Sequence, residues 1–271
     1  MVGGEGRGRG GPARVTVPGM RGAYDESADA WSAGPEAVYA QLAAALVAAV
    51  AERVHEANVL DLGAGTGVAA RAALVAGAAR AVALDPALGM LRRVSRPAHA
   101  VLGDAGRLPF RDNSFDLALA ALSLGHIPEP LGALREARRV APSLAASSFA
   151  AGWDHPAKTA VDAALAPLGY RPPSWYVTFK GDTERQVDDP AAVAALAAQA
   201  GYAHVRITTV DVDTGLTRPA ELVAWRMGMA HLAPFVASLS ERQRRDARRI
   251  AEAALSGAPP LIVPLVVLTA G

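Results

Sequence analysis

The run Val59-Leu60-Asp61-Leu62-Gly63-Ala64-Gly65-Thr66-Gly67 narrows most sharply what this 271-residue chain can fold into. A short apolar stretch passes directly into three glycines at alternate positions, and an alanine-rich helical segment follows at once. Glycines let the backbone turn tightly and approach a ligand without a Cβ in the way. In open α/β sheets the ligand crevice lies at the carboxyl ends of the strands. The run therefore predicts a strand, a ligand-facing loop and a helix. Taken alone it suits more than one ligand, because Gly65, Gly67 and Ala70 also satisfy the dinucleotide pattern G-x-G-x-x-A. A tight turn with no ligand is the third reading.

The rest of the chain supplies the sheet for such a loop. Short apolar runs at Asn58–Leu62, Ala79–Leu84, Ala98–Leu102, Phe115–Ala120 and Leu144–Ala150 read as strands. A long helix is expected over Ala37–Val54, and helical segments over Gly67–Ala76, Pro86–Arg96 and Glu129–Arg139. This alternation predicts an α/β domain with a parallel sheet and helices on both faces. Beyond a long intervening region (152–189) come a helix at Pro190–Ala200, a strand at His204–Asp213, helical residues from Arg218 to Leu255 and a last apolar strand. Pro264 cannot donate to a ladder, so that strand is placed at Leu265–Thr269.

Two further acids narrow the choice of ligand. Asp85 ends the second strand, where a carboxylate can accept both hydroxyl protons of a ribose; it is also positioned to cap the helix expected at Pro86. The third strand closes on Gly103-Asp104-Ala105, then Leu108-Pro109-Phe110. There a carboxylate can accept from an exocyclic amine while a backbone N–H donates to a ring nitrogen, together reading adenine. Asp61 beside the loop suits a ligand with an ammonium and a sulfonium and would repel a pyrophosphate. The three acids are expected to be buried together.

With these residues in view, the chain resembles the class I S-adenosylmethionine-dependent methyltransferases, in the branch with small-molecule substrates. The matching stretches are LDLGAGTG (60–67), VALDP (82–86), GDAGRLPF (103–110), SFDLALAALSLGHI (114–127) and LREARRV (134–140). The resemblance implies a Rossmann-like, seven-stranded, mostly parallel sheet whose last strand is antiparallel. It implies S-adenosyl-L-methionine as cofactor, with Asp61, Gly63, Ala64, Gly65 and Gly67 at its methionine part. Asp85 would meet the ribose, Pro86 the adenine, and Asp104 and Ala105 the adenine edge. A backbone carbonyl near Ala120 would meet the ammonium, and Tyr24 would close over the methionine end. The chain departs from the family at Pro142-Ser143-Leu144, where Pro-Gly-Gly is common, and in the long insertion before the final strand.

The same resemblance places the acceptor under residues 20–45, 152–188 and 214–258. These hold Trp31, Trp153, Trp175, Tyr176, Phe179, Trp225 and Phe235, so an apolar, partly aromatic pocket under a helical lid is expected. His126, just after the fourth strand, is the candidate general base. His155 and His231 are weaker candidates, Asp154 is a candidate to orient a substrate amine instead, and no metal site is expected.

Composition limits the alternatives. With no cysteine, disulfides, thiolate metal sites and thiol catalysis are excluded. A formal net charge of +1 disfavours a nucleic-acid substrate. The basic run Glu241–Arg249 reads as a solvated helix face. Residues 1–19, rich in Gly and Arg, read as a disordered leader, and residues 20–271 as the methyltransferase domain. No secretory or membrane-spanning run is evident, so a cytoplasmic enzyme of specialised metabolism is expected, methylating O or N of a small molecule. The alternatives are a fold relative that binds the cofactor but catalyses another reaction such as cyclisation, a non-catalytic partner subunit, and an NAD enzyme.

Overall fold

The computed structural model describes residues 19–271, so the expected leader, apart from Gly19, lies outside the described residues. The chain begins with helices α1 (Met20–Ala33), α2 (Pro35–Ala48) and α3 (Ala51–Val54). Then come β1 (Asn58–Leu62), α4 (Val68–Val75), β2 (Arg80–Asp85), α5 (Leu88–Leu91), β3 (His99–Leu102) and β4 (Leu117–Ala121). The middle holds α6 (Pro130–Val140), β5 (Ser143–Phe149), α7 (Pro156–Leu165), α8 (Ser174–Thr178) and α9 (Pro190–Gln199). It ends with β6 (Arg206–Asp213), α10 (Pro219–Met227), α11 (Ala233–Ser238), α12 (Glu241–Ala254) and β7 (Ile262–Ala270). The strands make one seven-stranded sheet in the order β3-β2-β1-β4-β5-β7-β6. β7 alone runs opposite to the other six strands, pairing antiparallel with β5 and β6, as the Rossmann-like expectation requires. No helix among the described residues is long and apolar enough to cross a membrane.

Strand side chains alternate between the faces of a sheet, and the alternation divides the core in two. Val59, Leu117, Leu119, Ala145, Leu265 and Val267 pack with α2, α4, α7, α10 and α12 on one face. Leu60, Leu62, Ala118, Ala120, Leu144 and Ala146 pack with α6 and α9 on the other. The central strands are covered on both sides, which is why they read as continuous apolar runs. Leu60, Leu62, Leu117, Leu119 and Leu144 are fully buried, each contributing roughly 1.5–3 kcal/mol of transfer free energy.

Three elements differ from expectation. The helix expected over Ala37–Val54 is two, because the backbone leaves the helical region at Val50 (φ −131°); no proline or glycine marks the break. The helix expected over Pro86–Arg96 is a single turn. Asp85 Oδ1 accepts the Ala87 N–H at 2.7 Å and Ala87 is held extended, so helix begins only at Leu88. The last strand starts at Ile262, with Pro264 inside it opposite Asp211. Pro264 sits just past the last β5–β7 pair, Phe149↔Leu265. Its carbonyl accepts the Ala150 N–H at 3.0 Å, so its missing donor faces the side where β5 has ended. A proline there removes no ladder bond.

Candidate active site

The sheet order reverses between β1 and β4, and the switch point of such a sheet opens a crevice at the strands' carboxyl ends. The last β1–β4 pair is Asp61↔Leu119, so the strands part just before the glycine loop. The Ser123 hydroxyl bridges the gap by donating to the Leu62 carbonyl at 2.6 Å. A Cβ on Gly63 would lie 2.6 Å from the Ser123 Cβ, and Gly63 has φ +65°; only glycine permits this approach. Gly65 also has a positive φ, +53°, but a Cβ there would meet nothing within 4 Å. The loop therefore presents bare backbone to open space.

Two acids underlie this loop. Asp61 is 1% exposed, and its Oδ2 accepts the Ala70 N–H at 2.9 Å. Burial pushes its carboxyl up to about 7, the Ala70 bond opposing and the nearby Asp85 adding to the rise. Asp85 is 8% exposed and ties the loop to β2, its Oδ2 accepting the Gly65 N–H at 2.8 Å. Burial raises its carboxyl as well, against the two backbone bonds. Asp85 thus restrains Ala87 at one oxygen and holds the loop at the other. Neither acid forms an ion pair among the described residues.

Asp104 corrects an expectation: it is exposed, not buried. It follows the edge strand β3, in a turn where its Oδ1 accepts the Gly106 N–H at 2.8 Å, and β3 has a neighbour on one side only. The Ala105 and Ala120 side chains belong to the core, which leaves their backbone atoms as the groups available to a ligand. Pro86 is exposed beside Asp85, whereas Ala64 and Gly67 complete the loop as buried residues.

Distant parts of the chain meet above the loop. Helix α1 docks on α5, where the Asp25 carboxylate accepts the Gly89 N–H at 2.7 Å and Asp29 pairs with Arg93. This brings the Tyr24 hydroxyl to 2.8 Å from His126 Nε2 across 102 residues of sequence. A ring N–H of His126 also meets the Leu122 carbonyl. A carbonyl only accepts, so that nitrogen carries the proton and Nε2 accepts from Tyr24. Burial lowers the imidazole to about 4, with Lys180 contributing to the drop, so the ring is neutral at ordinary pH. Burial raises Tyr24 well above the usual phenol range, so its hydroxyl keeps its proton. Leu122, at the turn between β4 and His126, has φ +57°, a costly conformation for a bulky residue of the kind that gathers at functional sites.

Tyr24 and His126 also form one end of a cavity of about 300 Å³. Its walls are aromatic pairs: Phe149 on Trp153 (centroids 5.1 Å apart), His126 on Phe179 (4.3 Å) and Tyr176 on His231 (3.7 Å). Lys158 places its ammonium 3.9 Å from the Trp153 ring centre. Arg226, 5% exposed, donates from one Nη to both Asp162 oxygens at 3.1 Å. Arg226 Nε, Trp225 Nε1 and His231 Nε2, all on cavity-lining residues, are buried with no hydrogen-bond partner among the described residues. Leaving such a group unpaired costs about 1–3 kcal/mol.

Known proteins resemble this arrangement. Residues 60–143 match the family model described as a methyltransferase domain. Over that stretch the chain is similar to S-adenosylmethionine-dependent methyltransferases. It is 39% identical over 120 residues to a demethylmenaquinone methyltransferase of Renibacterium salmoninarum, covering 43% of this chain and 48% of that one. It is 42% identical over 105 residues to a malonyl-[acyl-carrier protein] O-methyltransferase of Halorhodospira halophila, covering 36% of each. The matched stretch thus spans half or less of these relatives' length. In fold, the chain is similar to an Anabaena variabilis protein provisionally described as a methyltransferase from an antibiotic biosynthesis pathway. That likeness has TM-score 0.56 at 15% identity, over 83% of this chain and 96% of the other. The YcgJ protein of Bacillus subtilis gives TM-score 0.53 at 16% identity over 84% and 97%.

The stretch that matches the family model ends at Ser143, so most of the cavity is built outside it. Of the seven aromatics expected to form a pocket, Trp153, Trp175, Tyr176, Phe179 and Trp225 line the cavity. Trp31 instead packs against Tyr39 and Met90, and Phe235 against Tyr170. His155 is structural: its Nδ1 accepts the Ala157 N–H at the start of α7 and its Nε2 bonds the Pro259 carbonyl. Asp154 is exposed and pairs with Lys158 at 3.5 Å. Glu241–Arg249 is a solvated helix face in which Arg245 pairs with Glu241 and Arg242 with Asp246. Tyr39, Phe149, Lys158 and Arg226 line the cavity without having been singled out by any motif. Each is an isolated residue in an unremarkable local pattern, and only tertiary folding brings them together.

Proposed function

We propose that the protein is an S-adenosylmethionine-dependent methyltransferase acting on O or N of a compact organic molecule rather than on nucleic acid. We assign it to specialised metabolism in the cytoplasm, with residues 20–45, 152–188 and 214–258 as the acceptor's cover. The observation that carries this reading is the Tyr24–His126 hydrogen bond. Both residues line the aromatic cavity and Tyr24 feels the charge of Asp85 beneath the glycine loop, so we read the pair as the boundary between cofactor and acceptor.

The crevice residues fit the cofactor. The space in front of Gly65 leaves room for a ligand against bare backbone, and Asp61 and Asp85 without a paired cation favour a positively charged ligand over a pyrophosphate. Asp61, Gly63, Ala64, Gly65 and Gly67 would hold the methionine part, Asp85 the ribose and Pro86 the adenine. Asp104 and the Ala105 N–H would read the adenine edge, while the Ala120 carbonyl and Tyr24 would face the ammonium end. When bound, S-adenosylmethionine supplies an electrophilic methyl group on a sulfonium. The protein's part is then proximity and orientation. A base with a pKa near 4 is a poor proton store at neutral pH. His126 therefore serves best as a neutral acceptor at Nε2, orienting the O–H or N–H of the nucleophile in competition with Tyr24.

Incubation with methyl-labelled cofactor and fractionated small-molecule extracts tests the reading. Label should pass to product with equimolar S-adenosylhomocysteine. Product formed while all label stays in the cofactor would replace methyl transfer by another reaction on the same fold.

A further inference from the structure

Three tyrosines line the aromatic cavity, and the fold uses two of their hydroxyls. Tyr24 donates to His126 Nε2 at 2.8 Å, and the Tyr176 hydroxyl bonds Arg226. The hydroxyl of Tyr39, on α2, has no hydrogen-bond partner among the described residues. Unlike Arg226 Nε, Trp225 Nε1 and His231 Nε2, it is not sealed from the cavity, and its side chain is only half-buried. The titratable groups that act on it are Tyr176, Glu184 and Arg226, all on the cavity wall, so its oxygen faces inward. Burial lifts it above the usual phenol range, which keeps it a neutral donor. A reachable donor without a partner is a place for an acceptor atom of the ligand.

The position of Tyr39 says where that atom would lie. Its ring packs edge-on against Phe149, 6.3 Å away, and Phe149 stacks on Trp153 at 5.1 Å. Tyr24 and His126 belong to the other end, where His126 stacks on Phe179 at 4.3 Å. Trp31 packs against both tyrosines, 5.9 Å from Tyr24 and 4.6 Å from Tyr39, and spaces them apart. Flat aromatic walls between two polar points favour a flat ring, and about 300 Å³ suits a compact one. The charges on the wall favour neither sign. Lys158 is paired with Asp154, Lys180 with Glu184 and Arg226 with Asp162, and the remaining Arg185 and Asp188 are opposite in charge. An ion entering here would lose hydration without meeting a net counter-charge. We propose that the pocket takes an uncharged phenol as methyl acceptor, its hydroxyl donating to His126 Nε2 in place of Tyr24 and a carbonyl oxygen across the ring accepting from the Tyr39 hydroxyl. The proposal rests on the methyltransferase reading only in naming the phenol as the acceptor; the preference for a neutral, carbonyl-bearing ring belongs to the pocket itself.

The test compares phenols of one shape on the whole protein by calorimetry at neutral pH, with and without S-adenosylhomocysteine. They are para-hydroxyacetophenone, its apolar isostere para-isopropylphenol, the anion para-hydroxybenzoate and the cation para-hydroxybenzamidine. The ketone should bind at least about tenfold more tightly than either ion. Tyr39→Phe removes an oxygen that no other part of the fold holds, so thermal melts should show no loss of stability. It should weaken the ketone about three- to tenfold, the range of one neutral hydrogen bond, and leave para-isopropylphenol unchanged. The charge series needs only the wild-type protein, so it decides the neutral preference whatever the variant does. Either ion binding as tightly as the ketone, an equal effect of Tyr39→Phe on both neutral probes, or no saturable binding of the ketone at about 10 mM would each overturn the proposal. Affinity for S-adenosylhomocysteine is read separately. Its absence alongside an intact ketone preference would reject the methyltransferase reading, and the reverse would reject only this one.

Discussion

Replacing Asp61 by asparagine separates the stability of the glycine loop from its use. Asparagine keeps an oxygen for the Ala70 N–H that Asp61 now accepts at 2.9 Å but cannot ionise. In the folded protein burial lifts the Asp61 carboxyl from about 3.8 to about 7. The unfolded chain therefore loses this proton at lower pH than the folded one, and folding stability falls as pH rises from about 4 to about 7. At about 1.36 kcal/mol per pH unit, the rise corresponds to about 4 kcal/mol of destabilisation once the group is ionised in both states. Asp61→Asn removes that penalty. For a chain of this size the gain corresponds to a melting temperature higher by about 10 °C at pH 8, shrinking towards zero at pH 4. The assay is scanning calorimetry of the ligand-free protein across this range, with a titration of S-adenosylmethionine beside it. The variant should be more stable and should bind the cofactor more weakly, since the negative charge facing it is gone. A variant less stable than wild type at pH 8, or a stability difference independent of pH, would refute the argument.

Other perturbations address neighbouring parts of the site. Gly65→Ala meets no atom within 4 Å but is held at φ +53°, so it should cost only about 1–2 kcal/mol of stability while reducing cofactor affinity by more than tenfold; thermal melts and calorimetry read the two effects. Tyr24→Phe removes the hydroxyl bound to His126 Nε2 and should weaken cofactor binding by about three- to tenfold, measured by titration, with the fold intact. Because burial lowers His126 to about 4, its folded pKa lies below its unfolded one. Its contribution to stability is complete above pH 6.5 and is lost as pH falls towards 4. His126→Gln should therefore flatten the acid limb of stability measured by denaturant titration, and no limb of the turnover profile near pH 6.5 should belong to this residue.

Much of the fold was legible because it is written in local patterns. β1 coincides with the expected strand and β2 to β5 are displaced by a residue or two; β1, β2, β4 and β5 were legible because a parallel strand covered on both faces must be continuously apolar, and β3, exposed at the sheet edge, through its short apolar run alone. The glycine loop was legible for a related reason: Gly63 and Gly65 occupy backbone conformations that other residues enter only at a cost. The short α5 was not legible, since it depends on the Asp85 carboxylate turning back to the Ala87 N–H. Nor was the strand through Pro264, tolerated only because β5 ends one residue earlier. The acids were legible as a set but not in their burial: Asp104 stands at the sheet edge while Asp61 and Asp85 lie beneath the loop. The cavity was the least legible part. Phe149 ends a strand, Lys158 lies on α7 and Arg226 on α10, and nothing in their spacing says that they share a wall.

The most direct test of the account is calorimetric titration of the full chain with S-adenosylmethionine and, separately, with NAD. The crevice at Gly65, with Asp61 and Asp85 unpaired behind it, predicts saturable binding of S-adenosylmethionine, weakened by a few kcal/mol in Asp85→Ala, and no measurable heat with NAD. Binding of NAD alone, or S-adenosylmethionine affinity untouched by Asp85→Ala, would contradict it.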